Sequence, residues 1–203
     1  MNLPIEVFTE WANEGRDEAM AKGHLGSVNA MLDFVLNDQL EPFSFIDAGC
    51  GNGWVVKKVS NNPLCTSSLG VDGSKSMIQK AISNDPHNIY KCADLTEWEP
   101  KEKVDLIHSM EVFYYVVDPI SLIKRVVDNW LKPAGKLIIG VDFYKENEVS
   151  KSWPNDCGIS IMSRLSELEW IQGFKNAGLQ NISSWREGVK DNWAGTLIIT
   201  GQK

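Results

Sequence analysis

Long apolar runs are missing from this chain of 203 residues, and with them the length a helix needs to cross a bilayer. The first residues, MNLPIEVFTEWANEGRDE, carry acids but neither a basic start nor an apolar stretch, so they do not read as a secretion signal. Basic clusters are missing as well. With a formal net charge of -7 and no run of Lys and Arg, the chain repels phosphate backbones, and nucleic acid is not the expected partner. The cysteines Cys50, Cys65, Cys92 and Cys157 form no CxxC pair and read as reduced thiols in a cytoplasmic protein. The histidines His24, His87 and His108 are scattered, so no metal site is expected. Internal repeats, low-complexity tracts and Gly/Ser linkers are also absent. The length suits one domain with a full core and is short for two.

The pattern that is present alternates strands with helices. The first forty residues read as two cap helices, one carrying Phe8 and Ala12, the other Val28, Met31, Leu32 and Val35. Gly23 and Gly26 mark the expected break between them. From Phe43 the chain reads strand, glycine loop, helix, and then repeats that alternation. Seven strands are expected: Phe43–Asp47, a second ending at Leu69–Asp72, Asn88–Cys92, Val104–Ser109, Lys136–Val141, Asn181–Arg186 and Thr196–Thr200. Asp118 and Pro119 open a helix as N-cap and first residue, with Ile120, Ile123, Val127 and Trp130 inward. Pro133 and Gly135 are its expected stop. Ser166 to Glu169 reads as a capping box, with Ile171 and Phe174 inward and Gly178 as the helix end. The fold expected is a doubly wound α/β domain with a mostly parallel, Rossmann-like sheet. No helix separates the last two strands, so they should form an antiparallel hairpin at one edge.

The glycine loop after the first strand, Asp47-Ala48-Gly49-Cys50-Gly51-Asn52-Gly53, is the strongest chemical signal. Its glycines let the backbone approach a ligand, and the helix that follows offers free N–H groups. Spacing separates two cofactor classes. A dinucleotide fingerprint begun at Gly49 needs a third glycine at position 54, where Trp54 stands and blocks close packing of helix on strand.

The run D-A-G-C-G-N-G resembles the first motif of the class I methyltransferases, which bind S-adenosylmethionine. The resemblance implies that Asp47, Gly49, Cys50, Gly51 and Gly53 wrap the methionyl part of the cofactor. Leu69-Gly70-Val71-Asp72-Gly73-Ser74 is similar to the second motif, and implies that Asp72, beside Gly73, takes both ribose hydroxyls. Cys92-Ala93-Asp94-Leu95 is similar to the third-strand element, and implies that Asp94 and the Leu95 N–H hold the adenine. Val104 to Tyr115 resembles the fourth motif, passing beneath the transferable methyl. It implies cofactor contacts at Ser109 and Met110 and catalytic, pocket-facing roles for Glu111 and Tyr115. One of Tyr114 and Tyr115 is expected in the core.

Two segments lie outside the general family pattern and are expected to choose the substrate. One is the N-terminal cap with Trp11, Arg16 and His24, of which Trp11 and Arg16 join the expected cofactor-binding set. The other is the insertion from Asp142, whose residues 145–162 read as a lid. Trp11, Trp153, Trp185 and Trp193 fall in variable parts and offer aromatic walls for a cationic substrate, although core packing explains each one separately. The expected activity is methyl transfer to a small molecule. The rivals are a methyltransferase of protein or RNA and a cofactor-binding partner without chemistry. A monomer and a dimer are both open.

Overall fold

The structure, a computed structural model, describes residues 1–37 and 39–203. Helix α1 spans Pro4–Asn13 and α2 spans Asp17–Leu36. Their break falls at residues 14–16, where Gly15 takes a φ of +77°. Gly23 and Gly26 lie inside α2, contrary to expectation. Each costs about 1 kcal/mol against alanine. Burial of Val28, Met31, Leu32 and Val35 against the sheet outweighs that.

Seven strands form one sheet: β1 Phe43–Ala48, β2 Cys65–Asp72, β3 Ile89–Cys92, β4 Val104–Met110, β5 Leu131–Val141, β6 Gln180–Glu187 and β7 Thr196–Gln202. Their order is β3-β2-β1-β4-β5-β7-β6. The first five are parallel, while β7 runs antiparallel to both β5 and β6. Every residue of β1 is buried, as a central parallel strand covered on both faces requires. The connecting helices are α3 Trp54–Ser60, α4 Lys75–Asn84, α5 Pro119–Asn129, α6 Trp153–Asp156 and α7 Glu167–Asn176. Two cores result. One packs Trp130, Trp170, Tyr114 and Phe174 on one face of the sheet. The other packs Val28, Met31, Phe45 and Val56 on the opposite face.

The caps of α5 and α7 are as the sequence indicates. Asp118 accepts from the N–H groups of Ile120 (3.1 Å) and Ser121 (3.0 Å), and Ser166 and Glu169 close a reciprocal box. The inward faces differ by one position. Leu122 and Val126 join Ile123 and Val127, and Trp170 rather than Ile171 is fully buried beside Phe174. β5 begins five residues early, at Leu131, so Pro133 and Gly135 lie within it. A register shift between Val104 and Leu106 lets proline fit there without breaking the ladder.

The insertion after β5 is anchored at several points. Asn147 donates to the Asp142 carbonyl (2.8 Å), and Arg164 donates to the carbonyls of Tyr144, Lys145 and Asn147. It also clasps the N-terminal segment. The Asn2 N–H donates to Gly158 O (2.8 Å), and Ser160 N–H donates back to Asn2 O (2.9 Å). Among the described residues no helix is long and apolar enough to cross a membrane.

Candidate active site

Strand order reverses about β1, which sits between β2 and β4, and ligands of such sheets lie beyond the carboxyl ends at that point. A cavity of about 650 Å³ opens there, roofed by α1 and the first half of α2. The glycine turn forms its floor. Gly49 and Cys50 donate to Val71 O at 2.7 and 3.0 Å, and Gly51 donates to Asp72 Oδ2 at 2.9 Å. Ser74 N–H donates to Asp72 Oδ1 at 2.8 Å, so Asp72 bolts the turn to the end of β2. A Cβ at Gly49 would lie 2.1 Å from a Val112 methyl, which only glycine avoids. At Gly51, with a φ of +52°, the same position faces open space on the cavity side.

The cavity brings together Asp47, Gly49, Cys50, Gly51, Asp72, Gly73, Asp94, Leu95, Met110, Glu111 and Tyr115. Asp94 stands at the rim, its Oδ1 accepting from Thr96. Asp47 is buried, 2.7 Å from His108 Nδ1, while His108 Nε2 is buried without a partner.

Four expected residues lie elsewhere. Gly53 is the N-cap of α3, where a Cβ would strike the Tyr90 ring at 2.8 Å. Ser109 turns its hydroxyl to Ala48 O at 2.6 Å and ties β4 to β1. The Arg16 guanidinium stacks on Trp11 at 4.1 Å, outside the cavity. The aromatic walls are Phe8, Trp54 and Tyr115 rather than Trp11, Trp153, Trp185 or Trp193.

Glu111 follows β4 in a left-handed backbone conformation, φ +60°, with its N–H held by Gly140 O at 2.9 Å. Its carboxylate accepts from the Tyr114 hydroxyl and from the Asp142 N–H. Burial, and then the Asp142 charge, push it well above the usual carboxylate range. Tyr114 is the buried one of the tyrosine pair, and Tyr115 faces the cavity with its ring 4.9 Å from Phe8. Two further groups belong to the segments expected to choose the substrate but lie outside the expected catalytic and cofactor-binding sets. His24 reaches the cavity from α2, and its Nε2 lies 3.9 Å from Asp142 Oδ2. Burial lowers the His24 pKa and raises that of Asp142 to about 6. The signal available for Asp142 was its place at the carboxyl end of a central strand.

The sequence profile described as "Methyltransferase domain" matches residues 16–184. The chain belongs to that family.

As a class I methyltransferase domain, its cofactor is S-adenosylmethionine. It is 29% identical over 93 residues to trans-aconitate 2-methyltransferase of Agrobacterium fabrum, covering 46% of this chain and 36% of that one. It is 24% identical over 193 residues to malonyl-[acyl-carrier protein] O-methyltransferase 2 of Ilyobacter polytropus, covering 92% and 72%. The chain spans between about a third and a half of the length of the first curated relatives it matches. Among solved structures, a putative methyltransferase of Haloferax volcanii in complex with the Trm112 activator superposes with a TM-score of 0.80. That pair shares 25% identity, with 96% of each chain covered. The N-methyltransferase NodS of Bradyrhizobium japonicum WM9, bound to S-adenosylhomocysteine, shares the fold at a TM-score of 0.69 and 19% identity, covering 86% of this chain and 84% of that one. The methyltransferase domain fits its cofactor chemically. Gly51 leaves open space over the turn, and Asp72 keeps free lone pairs for a vicinal diol beyond its two backbone bonds.

Proposed function

We propose that the domain methylates a small molecule enclosed beneath α1 and α2. The observation that carries this is continuity: one cavity joins the glycine turn and Asp72 to Glu111 and Tyr115 under a helical roof. Asp72 would hold the ribose hydroxyls, and Asp94 with the Leu95 N–H the adenine. Gly49 and Gly51, with Asp47 behind them, would hold the methionyl part. Bound there, the cofactor supplies a methyl group on an electrophilic sulfonium. The chain's own work is to place the acceptor about 3–3.5 Å from that carbon and to keep water out. Phe8 and Tyr115 close the wall on the acceptor side, and Ile5 lies on Gly73 where a Cβ would come within 2.7 Å. Glu111, Tyr114 and Tyr115 are joined by hydroxyl hydrogen bonds and can hold a proton between them.

A second reading follows from the Haloferax neighbour, which is described with an activator protein. On that reading the domain needs a partner and acts on a macromolecule. The helical roof and the acidic balance favour the first reading. Methyl-labelled cofactor incubated with a dialysed metabolite fraction and with a macromolecular fraction tests the choice. Label in the small-molecule fraction is expected, and label only in protein or RNA would overturn it.

A further inference from the structure

Three groups from three elements converge at the cavity wall that His24 and Glu111 form, with Asp142 packed behind it: His24 of α2, Glu111 after β4 and Asp142 after β5. Each offers one nitrogen or oxygen atom, and these atoms all lie within 4.8 Å of one another. The cluster is incomplete. Asp142 Oδ1 is buried with no hydrogen-bond partner, and the 3.9 Å between His24 and Asp142 is too long for a hydrogen bond. Thr196 serves the Asp142 carboxyl, but with only 9% of the side chain exposed the empty Oδ1 lacks a cation or donor.

The cavity offers no such cation itself. Among the described residues Arg125 is its one Lys or Arg, and that guanidinium is engaged by Glu97 O (2.6 Å) and Glu99 (3.0 Å). A polyanionic acceptor would therefore meet the acids Glu111, Asp94 and Asp118 against a single guanidinium, of which only Nε is left without a partner.

Resting on the methyltransferase reading above, we infer that the acceptor is an amine on an apolar or aromatic body, its ammonium seated among His24, Glu111 and Asp142. The manganese arm of the calorimetric test separates this from a metal site, and the apolar and aromatic wall of Ile5, Phe8, Val28 and Tyr115 suits the body of an amine. Glu111 already accepts two hydrogen bonds, and an ammonium beside it would favour the carboxylate form that burial otherwise disfavours. Burial holds His24 neutral, so its ring can accept a hydrogen bond from the ammonium.

The balance is then complete. The ammonium gives one proton to the Glu111 carboxylate, whose raised pKa makes it a stronger base than His24, and this frees the nitrogen pair. That pair forms the bond to the methyl carbon as the carbon–sulfur pair returns to sulfur. The products are a methylated ammonium, a neutral carboxylic acid and a neutral thioether.

Calorimetry on the full chain separates the two claims. S-adenosylhomocysteine is titrated first, and failure to bind would overturn the proposed function and this inference with it. The loaded protein is then titrated with 2-phenylethylamine, 2-phenylethanol, 3-phenylpropanoate and manganese chloride. The amine should bind at least about tenfold tighter than the alcohol or the acid. Glu111→Gln and Asp142→Asn should each remove that preference while leaving S-adenosylhomocysteine within about twofold. With cofactor binding intact, absence of the preference, its persistence in both variants, or manganese binding in place of the amine would overturn the amine inference alone.

Discussion

Burial pushes the Asp142 carboxyl up to about 6, from an ordinary value of about 4. The folded protein therefore keeps a proton that the unfolded chain has already released. Across about pH 4 to 6 folding takes up a proton, so this group lowers stability as pH rises through that window. Asp142→Asn should raise stability at pH 7.5 by about 2–3 kcal/mol and leave it unchanged at pH 4. Urea melts at the two pH values would show it, and equal gains at both would remove the charge from the explanation. Burial also lifts Asp72 to about 6. Its ionised form is the one that accepts two hydroxyl hydrogens. Affinity for S-adenosylhomocysteine should thus fall as pH drops below about 6 and stay level above it. Asp72→Ala should weaken binding by about 2–4 kcal/mol at neutral pH, measured by calorimetry, with the circular dichroism spectrum unchanged. An unchanged affinity would place Asp72 outside the cofactor site.

At the scale of elements, the roof and the insertion are one device. Asn2 exchanges hydrogen bonds with Gly158 and Ser160, and Asp17 at the start of α2 binds Asn52 of the glycine turn (2.8 Å) and Lys80 of α4 (2.5 Å). Cofactor binding should slow amide exchange in α1, the start of α2 and residues 158–161 together. Slowing in only one of these segments would show that they move independently. The strand and helix alternation behind them was legible in the sequence because apolar periodicity and caps such as Asp118 and Ser166 act locally. The break between α1 and α2 was not, because glycine's small helix penalty is overridden by packing that only the sheet supplies. The early start of β5 was hidden for a similar reason: a strand tolerates Pro133 only where its partner's register shifts, and that partner is distant in sequence. Most of the candidate cofactor residues sit in local motifs and could be named. The clustering of His24 with Asp142 joins residues 118 positions apart, and no spacing announces it.

For the molecule as a whole, ligand binding and folding are linked. A ligand at a hundred times its dissociation constant adds about 2.7 kcal/mol to stability. In a domain of this size that is roughly 5–10 °C in melting temperature. S-adenosylhomocysteine should produce such a shift, and NAD should produce none, since Trp54 occupies the position where a dinucleotide turn needs glycine. A shift with NAD and none with S-adenosylhomocysteine would reverse the cofactor assignment.

The left-handed backbone of Glu111 carries a further consequence, for descent rather than for chemistry. Glycine would suit that φ of +60° better, and replacing it would relieve about 1 kcal/mol of backbone strain. Backbone strain and the burial of an acid pull this position away from glutamate, against the two hydrogen bonds its side chain accepts. A duplicated copy freed from its chemical duty should drift here early, toward glycine or asparagine, while Gly49, hemmed in by Val112, stays fixed. Whether position 111 still holds an acid would then mark which descendants of this chain still work.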